Sequence, residues 1–423
     1  MKEDFLHYVW RFKCFNVNQL FTITGESIQL LQTGDYLQTE GPDFFNAQLI
    51  IGSQKWAGTV EIHLKSSDWY VHHHETDSNY DNVILHVVWE YDLPVYRTNN
   101  SEIPVLELQH RVDPALIQNY HHLLLRKEWL PCEQHLSSIP QFVLYNWLER
   151  LYFERLAQKA IPVLQLLKAY KNDWESVLFV LLAKNFGLNT NGDAFFQVAQ
   201  SIRFSQFCKE AVEVHQIEAL LMGQAGILPE SPLDTYTQDL CARYDFLKLK
   251  YSMQAPNIRM QYFKLRPDNF PTIRLAQLAM VYHKRQQLFQ AVWNCKVLTD
   301  FEKLFHVGVS SYWETHYTFD KPSRKKSKQL SKSFIYLLII NTLVPLKFAY
   351  AQHLGKFDAD AQLVVLQKIP PESNTVIDKF AHLGIQAQHA QHSQALLELK
   401  KSYCDLKKCL NCAIGTTLLK TNR

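Results

Sequence analysis

The spacing of apolar residues changes character once along this chain, and that change sets what it can fold into. Over roughly the first 125 residues, short apolar runs at 27–31, 44–51, 56–65, 82–90 and 105–108 are separated by turn residues, the pattern of strands. From about residue 141, apolar residues recur at helical spacing nearly to the end, as in Trp147-Leu148-Glu149-Arg150-Leu151-Tyr152. A single core rarely organises 423 residues, so more than one module is expected. The expected class is α+β. A mixed α/β module with a central sheet covers 1–125, opening with a helix near 3–12, and a larger all-α module covers 126–423. The run 82–89 is apolar on both faces and reads as the central strand.

Net charge is only +3, so no global basic field recommends nucleic acid, and such binding needs a local patch. The opening residues Met1-Lys2-Glu3-Asp4 put acids where a secretory leader needs basic residues. The longest apolar segment, 334–350, is interrupted by Asn341, Pro345 and Lys347, and falls short of the ~20 residues of a membrane span. It reads as a buried helix kinked at Pro345. A cytoplasmic protein without a membrane partner is expected.

The chemistry concentrates in Val60-Glu61-Ile62-His63-Leu64-Lys65. Alternation puts Val60, Ile62 and Leu64 on one face and Glu61, His63 and Lys65 on the other. Gly52-Ser53 marks a hairpin turn that returns Asp43 toward this strand. Pairing of Ile51 with Ala57 would set Asp43 opposite Lys65 and converge all the polar groups. Pairing with Trp56 would point Asp43 away. If they converge, Asp43 and Glu61 are hard oxygen ligands for Mg²⁺ or Mn²⁺, His63 adds a nitrogen, and Lys65 serves the water or the phosphate. Further on, His72-His73-His74, Asp77 and His86 make the region dense in imidazoles. His74 with Asp77 reads as a functional pair, and His73 and His86 as structural. A zinc-type site is the competing chemistry for the same residues.

Two further groups stand apart. Arg266 and Arg274 flank the start of a helix, and Arg324, Lys325, Lys326 and Lys328 form the densest positive run, read as a mobile loop. Both are candidates for a nucleic-acid backbone. The eight cysteines do not look like a disulfide framework. Cys404, Cys409 and Cys412, however, have C-x4-C-x2-C spacing that zinc or an iron–sulfur cluster uses, with the fourth ligand to come from a distant Cys or from His392.

Asp43, Glu61 and Lys65 together resemble nucleases of the PD-(D/E)xK superfamily. There an Asp and a Glu hold a divalent metal, and a Lys two residues after the Glu serves the attacking water. Here His63 stands where that pattern puts the acid. Separately, Gly41-Pro42-Asp43-Phe44-Phe45-Asn46-Ala47, Lys65-Ser66-Ser67-Asp68-Trp69, Leu265-Arg266-Pro267 and Cys409-Leu410-Asn411-Cys412 resemble a Bacteroidota family, domain of unknown function 2851, over nearly the whole chain. That likeness implies membership but no activity. The expectation is a metal-dependent, nuclease-like phosphodiesterase acting on nucleic acid. Its rivals are a non-catalytic interaction protein and a metal-dependent hydrolase of small molecules working through the histidines.

Overall fold

A computed structural model describes residues 1–37, 41–125, 128–285, 287–356 and 359–420. It separates into two compact units. The first comprises Met1–Trp147, His382–Gly384 and the chain from Leu399 onward, and the second comprises Leu148–Ala381 and Ile385–Glu398. The expected division at 125/126 therefore needs correction, and Arg126 itself lies outside the described residues. The cysteine-bearing C-terminal segment joins the sheet unit, because helix Ala413–Lys420 packs on helix Pro114–Leu125.

Among the described residues the first unit is built on one seven-stranded sheet. Its strands are β1 (Leu20–Phe21), β2 (Ser27–Gln32), β3 (Asp35–Tyr36), β4 (Phe44–Ile51), β5 (Gln54–Lys65), β6 (Val83–Glu90) and β7 (Val105–Glu107). Their order is β1-β2-β4-β5-β6-β7, with β3 beside β4. The first part is an antiparallel meander, whereas β5–β6 and β6–β7 are parallel. On β6 every residue from Val83 to Val88 is buried, as expected of a strand covered on both sides. Helix α1 (Glu3–Arg11) buries Phe5, Leu6, Val9 and Trp10 and packs against β5.

The β4–β5 hairpin turns through Gly52 and Ser53, and its register is neither of the two expected. Ile51 pairs with Gln54 and Ala47 with Gly58, but Phe44 pairs with Val60. A bulge between Phe44 and Ala47 accounts for the one-residue slip, and Asn46 there adopts φ +58°, a conformation asparagine tolerates better than most side chains. Before the slip, Ala47, Leu49 and Ile51 share a face with Val60 and Ile62. After it, Phe44 joins that buried face and Asp43 turns to the face of Glu61 and His63. Without the bulge, Asp43 would lie opposite Ile62 in the apolar layer.

The second unit is helical. Asp173 caps helix Trp174–Phe186, its carboxylate accepting from the Glu175 and Ser176 N–H groups, as an Asp just ahead of a helical run does. Helices Phe204–Glu210 and Val214–Gln224 follow one another closely, and helix Pro271–Lys284 is followed by another that begins at Leu288. From Lys332 to His353 the chain runs as one helix, long and apolar enough by composition to cross a membrane, with a π turn at Ile339–Leu343 just ahead of Pro345. Burial of 72% of its most apolar window marks it as a core helix of this unit.

Candidate metal centre

Beyond β5 the chain forms a short helix, α2 (Asp68–Val71), anchored where the Lys65 N–H donates to the Asp68 carboxylate (2.9 Å). His72 ends it. His73 then takes a left-handed conformation (φ +61°), and its ring is 82% exposed. That reversal turns His72 and His74 to the same side as His63. The Nε2 of His63 lies 3.1 Å from Nδ1 of His72, and one ring nitrogen from each of His63, His72 and His74 falls within 4.8 Å of the other two. A tetrahedral ion with ~2.0–2.1 Å metal–nitrogen bonds holds its ligands ~3.4 Å apart, so the trio needs only small adjustment to close on one. His63 and His74 are buried, while His72 opens to solvent.

Glu61 borders this trio, its Oε1 being 3.6 Å from His63 Nε2 and 3.5 Å from His74 Nε2. Burial, reinforced by the neighbouring Asp43 charge, pushes its carboxyl up to about 9. His63 is driven far below the ordinary imidazole range by burial and by the His86, His72 and His74 rings. It is therefore neutral, the form that ligates metals. His86, taken from the sequence as structural, sits opposite Glu61 on β6, with its Nε2 2.8 Å from His63 Nδ1. Burial above all lowers it to about 3. Trp69 meets the His74 and His86 rings edge-on or tilted, and Tyr80 stacks on His74 at 3.7 Å.

Asp43 arrives on this face but is held elsewhere. Its carboxylate accepts from the Ile62 N–H (3.0 Å) and lies 3.1 Å from His7 Nε2, while its own N–H donates to Glu61 (3.1 Å). Burial pulls the His7 pKa down, but the Asp43 hydrogen bond and the surrounding carboxylates outweigh it, so the pKa is raised overall. His7 was not anticipated. Its only signal is a lone imidazole one turn after Glu3 on the opening helix. Asp77, expected to pair with His74 on a metal, instead caps the turn at Ser78–Tyr80 through the Asn79 N–H (2.9 Å). Lys65, expected at the carboxylates, is half exposed and lies 3.5 Å from Glu90.

The anticipated basic surface also changes. Arg274 is buried, donating to Gln277 (2.9 Å) and Asn269 (2.5 Å), with its guanidinium over the Phe334 ring. Lys328 is buried too, donating to the Trp313 and His316 carbonyls. The run expected to be a mobile loop is thus anchored at Lys328, and Lys325 and Lys326 pair with Glu314 and Asp268. Arg266, Arg324, Lys325 and Lys326 remain exposed.

The family model for a protein of unknown function, DUF2851, matches residues 3–375. The chain belongs to that family. Searches of curated proteins and of solved structures return no match. The matched stretch of this DUF2851 protein contains the whole histidine and carboxylate constellation, together with Cys132, and stops before the C-terminal cysteines.

Proposed function

We propose that this DUF2851 protein is a metal-dependent hydrolase of a small anionic substrate, with a zinc-type centre on His63, His72 and His74. The observation that carries this reading is the approach of three ring nitrogens to within 4.8 Å, with the Glu61 carboxylate beside two of them. Three histidines leave a fourth position open, the arrangement of hydrolytic rather than structural zinc. A divalent ion there supplies Lewis acidity and a bound water of lowered pKa. A divalent ion held there would draw the raised Glu61 pKa back down and leave its carboxylate placed to take that water's proton, and His86 holds the His63 ring through Nδ1. What supports an anionic substrate is a neighbouring cleft of about 560 Å³, lined by Lys2, Arg11, Lys407 and Lys408 against the single acid Asp4, and reached from the centre through His7 rather than by the three ligands themselves. His7 touches both this basic cleft and Asp43.

The test strips the purified protein with a chelator, reloads it separately with Zn²⁺, Mn²⁺ and Mg²⁺, and assays aryl phosphate esters, aryl carboxylic esters, DNA and RNA. The expected result is zinc-restored hydrolysis of a small anionic ester, lowered at least ~100-fold in kcat by Glu61→Gln with metal still bound. A protein that retains no zinc, or a Glu61→Gln variant as active as the wild type, would sink the proposal. A second reading, a Mg²⁺ or Mn²⁺ nuclease using Asp43 and Glu61, draws support from the shared face of those two carboxylates. It predicts cleavage of nucleic acid that needs Asp43 and ignores His72→Ala. If Arg266, Arg324, Lys325 and Lys326 held the backbone, each phosphate contact removed would flatten the salt dependence by about 0.7–0.9 in log–log slope.

A further inference from the structure

We propose that the helical unit carries a site of its own, a cavity of about 400 Å³ that takes a phosphorylated small molecule by its phosphate. Its wall gathers segments far apart in the chain: Leu188, the start of helix Pro271–Lys284 with the turn before it, and residues between 326 and 337. Four cations line it, Arg266, Arg274, Lys326 and Lys328, against a single acid, Asp268. That acid is already engaged. Lys326 Nζ lies 2.8 Å from its carboxylate, and the Tyr317 hydroxyl donates to it (3.1 Å).

Arg274 carries the argument. It is only 7% exposed, and among the described residues no carboxylate pairs with it. Burial lowers its pKa to about 10, which leaves it charged at neutral pH. Of the five N–H bonds of a guanidinium, one goes to Gln277 and one to Asn269, and the buried Nε has no partner. By contrast, Arg155 in the same unit meets the Glu398 carboxylate at 3.3 Å. A cation taken out of water without an opposite charge is costly, and an anion in the cavity removes that cost.

The guanidinium is also held ready. The Phe334 ring covers one face of it, with the centroid 3.7 Å away. Gln277, which accepts from Arg274, donates in turn to the Lys328 carbonyl (2.9 Å) and so ties the helix to the basic segment. A planar fork fixed in this way matches two oxygens of a phosphate. Ser331 and Ser333 add hydroxyls to the wall at the start of the 22-residue helix Lys332–His353, an end that favours negative charge. Size and depth set the ligand class. The cavity is larger than a bare phosphate fills, and Leu188 and Leu337 give an organic remainder an apolar wall. A nucleic-acid backbone is met by cations that stand out from the surface, whereas the incomplete guanidinium here is buried.

Calorimetric titration of the protein with phenylphosphonate, whose C–P bond a phosphate-ester hydrolase leaves intact, tests the assignment. Phenylphosphonate should bind at least ~10-fold tighter than inorganic phosphate, because only its ring reaches the apolar wall. Arg274→Gln should weaken that binding at least ~30-fold. Should this variant not fold, Arg266→Ala, which alters an exposed side chain, should still weaken it at least ~10-fold. Lys325→Ala, next to the cavity in sequence but not on its wall, should bind as the wild type does. No binding of phenylphosphonate by the wild type, equal affinity for inorganic phosphate, or unchanged affinity in both arginine variants would each overturn the assignment. So would a single-stranded DNA that displaces phenylphosphonate and loses affinity in Lys325→Ala, the mark of a nucleic-acid face. The histidine centre plays no part in these readouts, so the two proposals stand or fall separately.

Discussion

Both units bury charged and polar side chains, but they complete them differently. In the helical unit Lys159 donates to Gln394 (2.7 Å) and Asn341 (2.9 Å), while Arg155 donates to Gln394 (2.7 Å) and Glu398 (3.3 Å), and Gln158 also reaches Glu398 (2.9 Å). All three side chains donate to acceptors within the same unit, so charge and hydrogen bonds are met locally. In the sheet unit, ring nitrogens face ring nitrogens across His63, His72 and His86, and a carboxylate faces two of the same rings. Each of these ring–ring contacts is a hydrogen bond whose direction the tautomers set, made by nitrogens that are also metal-ligand atoms. The contrast separates sites from scaffolding better than any count of buried polar residues.

Four measurements would break or sharpen this contrast, taken from the largest expected effect to the smallest. His63→Ala should abolish measurable zinc binding in a calorimetric titration, and His86→Ala, which removes only the group orienting His63, should weaken it about 10–100-fold. Equal affinity in all three proteins would place the histidines with the scaffolding. Glu398→Ala removes the buried acceptor of Arg155 and Gln158, leaving Arg155 only Gln394, and should cost about 3 kcal/mol in urea unfolding, with zinc affinity untouched. A loss of zinc binding in that variant would blur the distinction between the units.

The third measurement concerns pH. Glu218, fully buried beside Tyr236 and Ser310, is pushed up to about 7 by burial from an ordinary 4.5. A raised folded pKa means that its contribution is full below the unfolded value and is lost as pH rises through the folded one. Wild-type stability should therefore fall by about 3 kcal/mol between pH 4.5 and 7 from this group, and Glu218→Gln should remove that slope. An unchanged slope in the variant would assign the pH dependence elsewhere. The smallest effects distinguish two neighbouring lysines. Lys328→Ala strips a donor from two buried carbonyls and should cost roughly 1–3 kcal/mol, whereas Lys326→Ala loses an exposed pair with Asp268 and should cost under about 1 kcal/mol. Equal costs would return Lys328 to the solvent-facing set.

Much of the scaffold was legible in residue patterning. The β4–β5 hairpin, the doubly buried β6 and the Asp173-capped helix all lie where alternation, apolar runs and a capping residue put them, because these signals are local. The densest stretch of imidazoles is also where three ring nitrogens gather. Its internal roles were less legible. His86 reads as structural on its own strand, and only pairing with β5 brings its ring to His63. Asp77 and His74 are close in sequence, yet the Asp caps a turn. Lys328 carries the charge of a surface run, but its ammonium is drawn inward by two carbonyls.

The sequence by itself determined which segments are strand or helix and that Glu61 and His63 share a face, since both follow from periods of two and 3.6 residues. Tertiary structure alone decided what joins them. One left-handed asparagine in a bulge moves Asp43 from the apolar face to the site, and one left-handed histidine swings His72 and His74 onto it. Chain packing places Cys132 in the same compact unit as cysteines that follow it by hundreds of residues. Periodicity records which way a side chain points along its own element. It holds no record of register slips, backbone reversals or long-range contacts, whose energies are set by packing after the elements form.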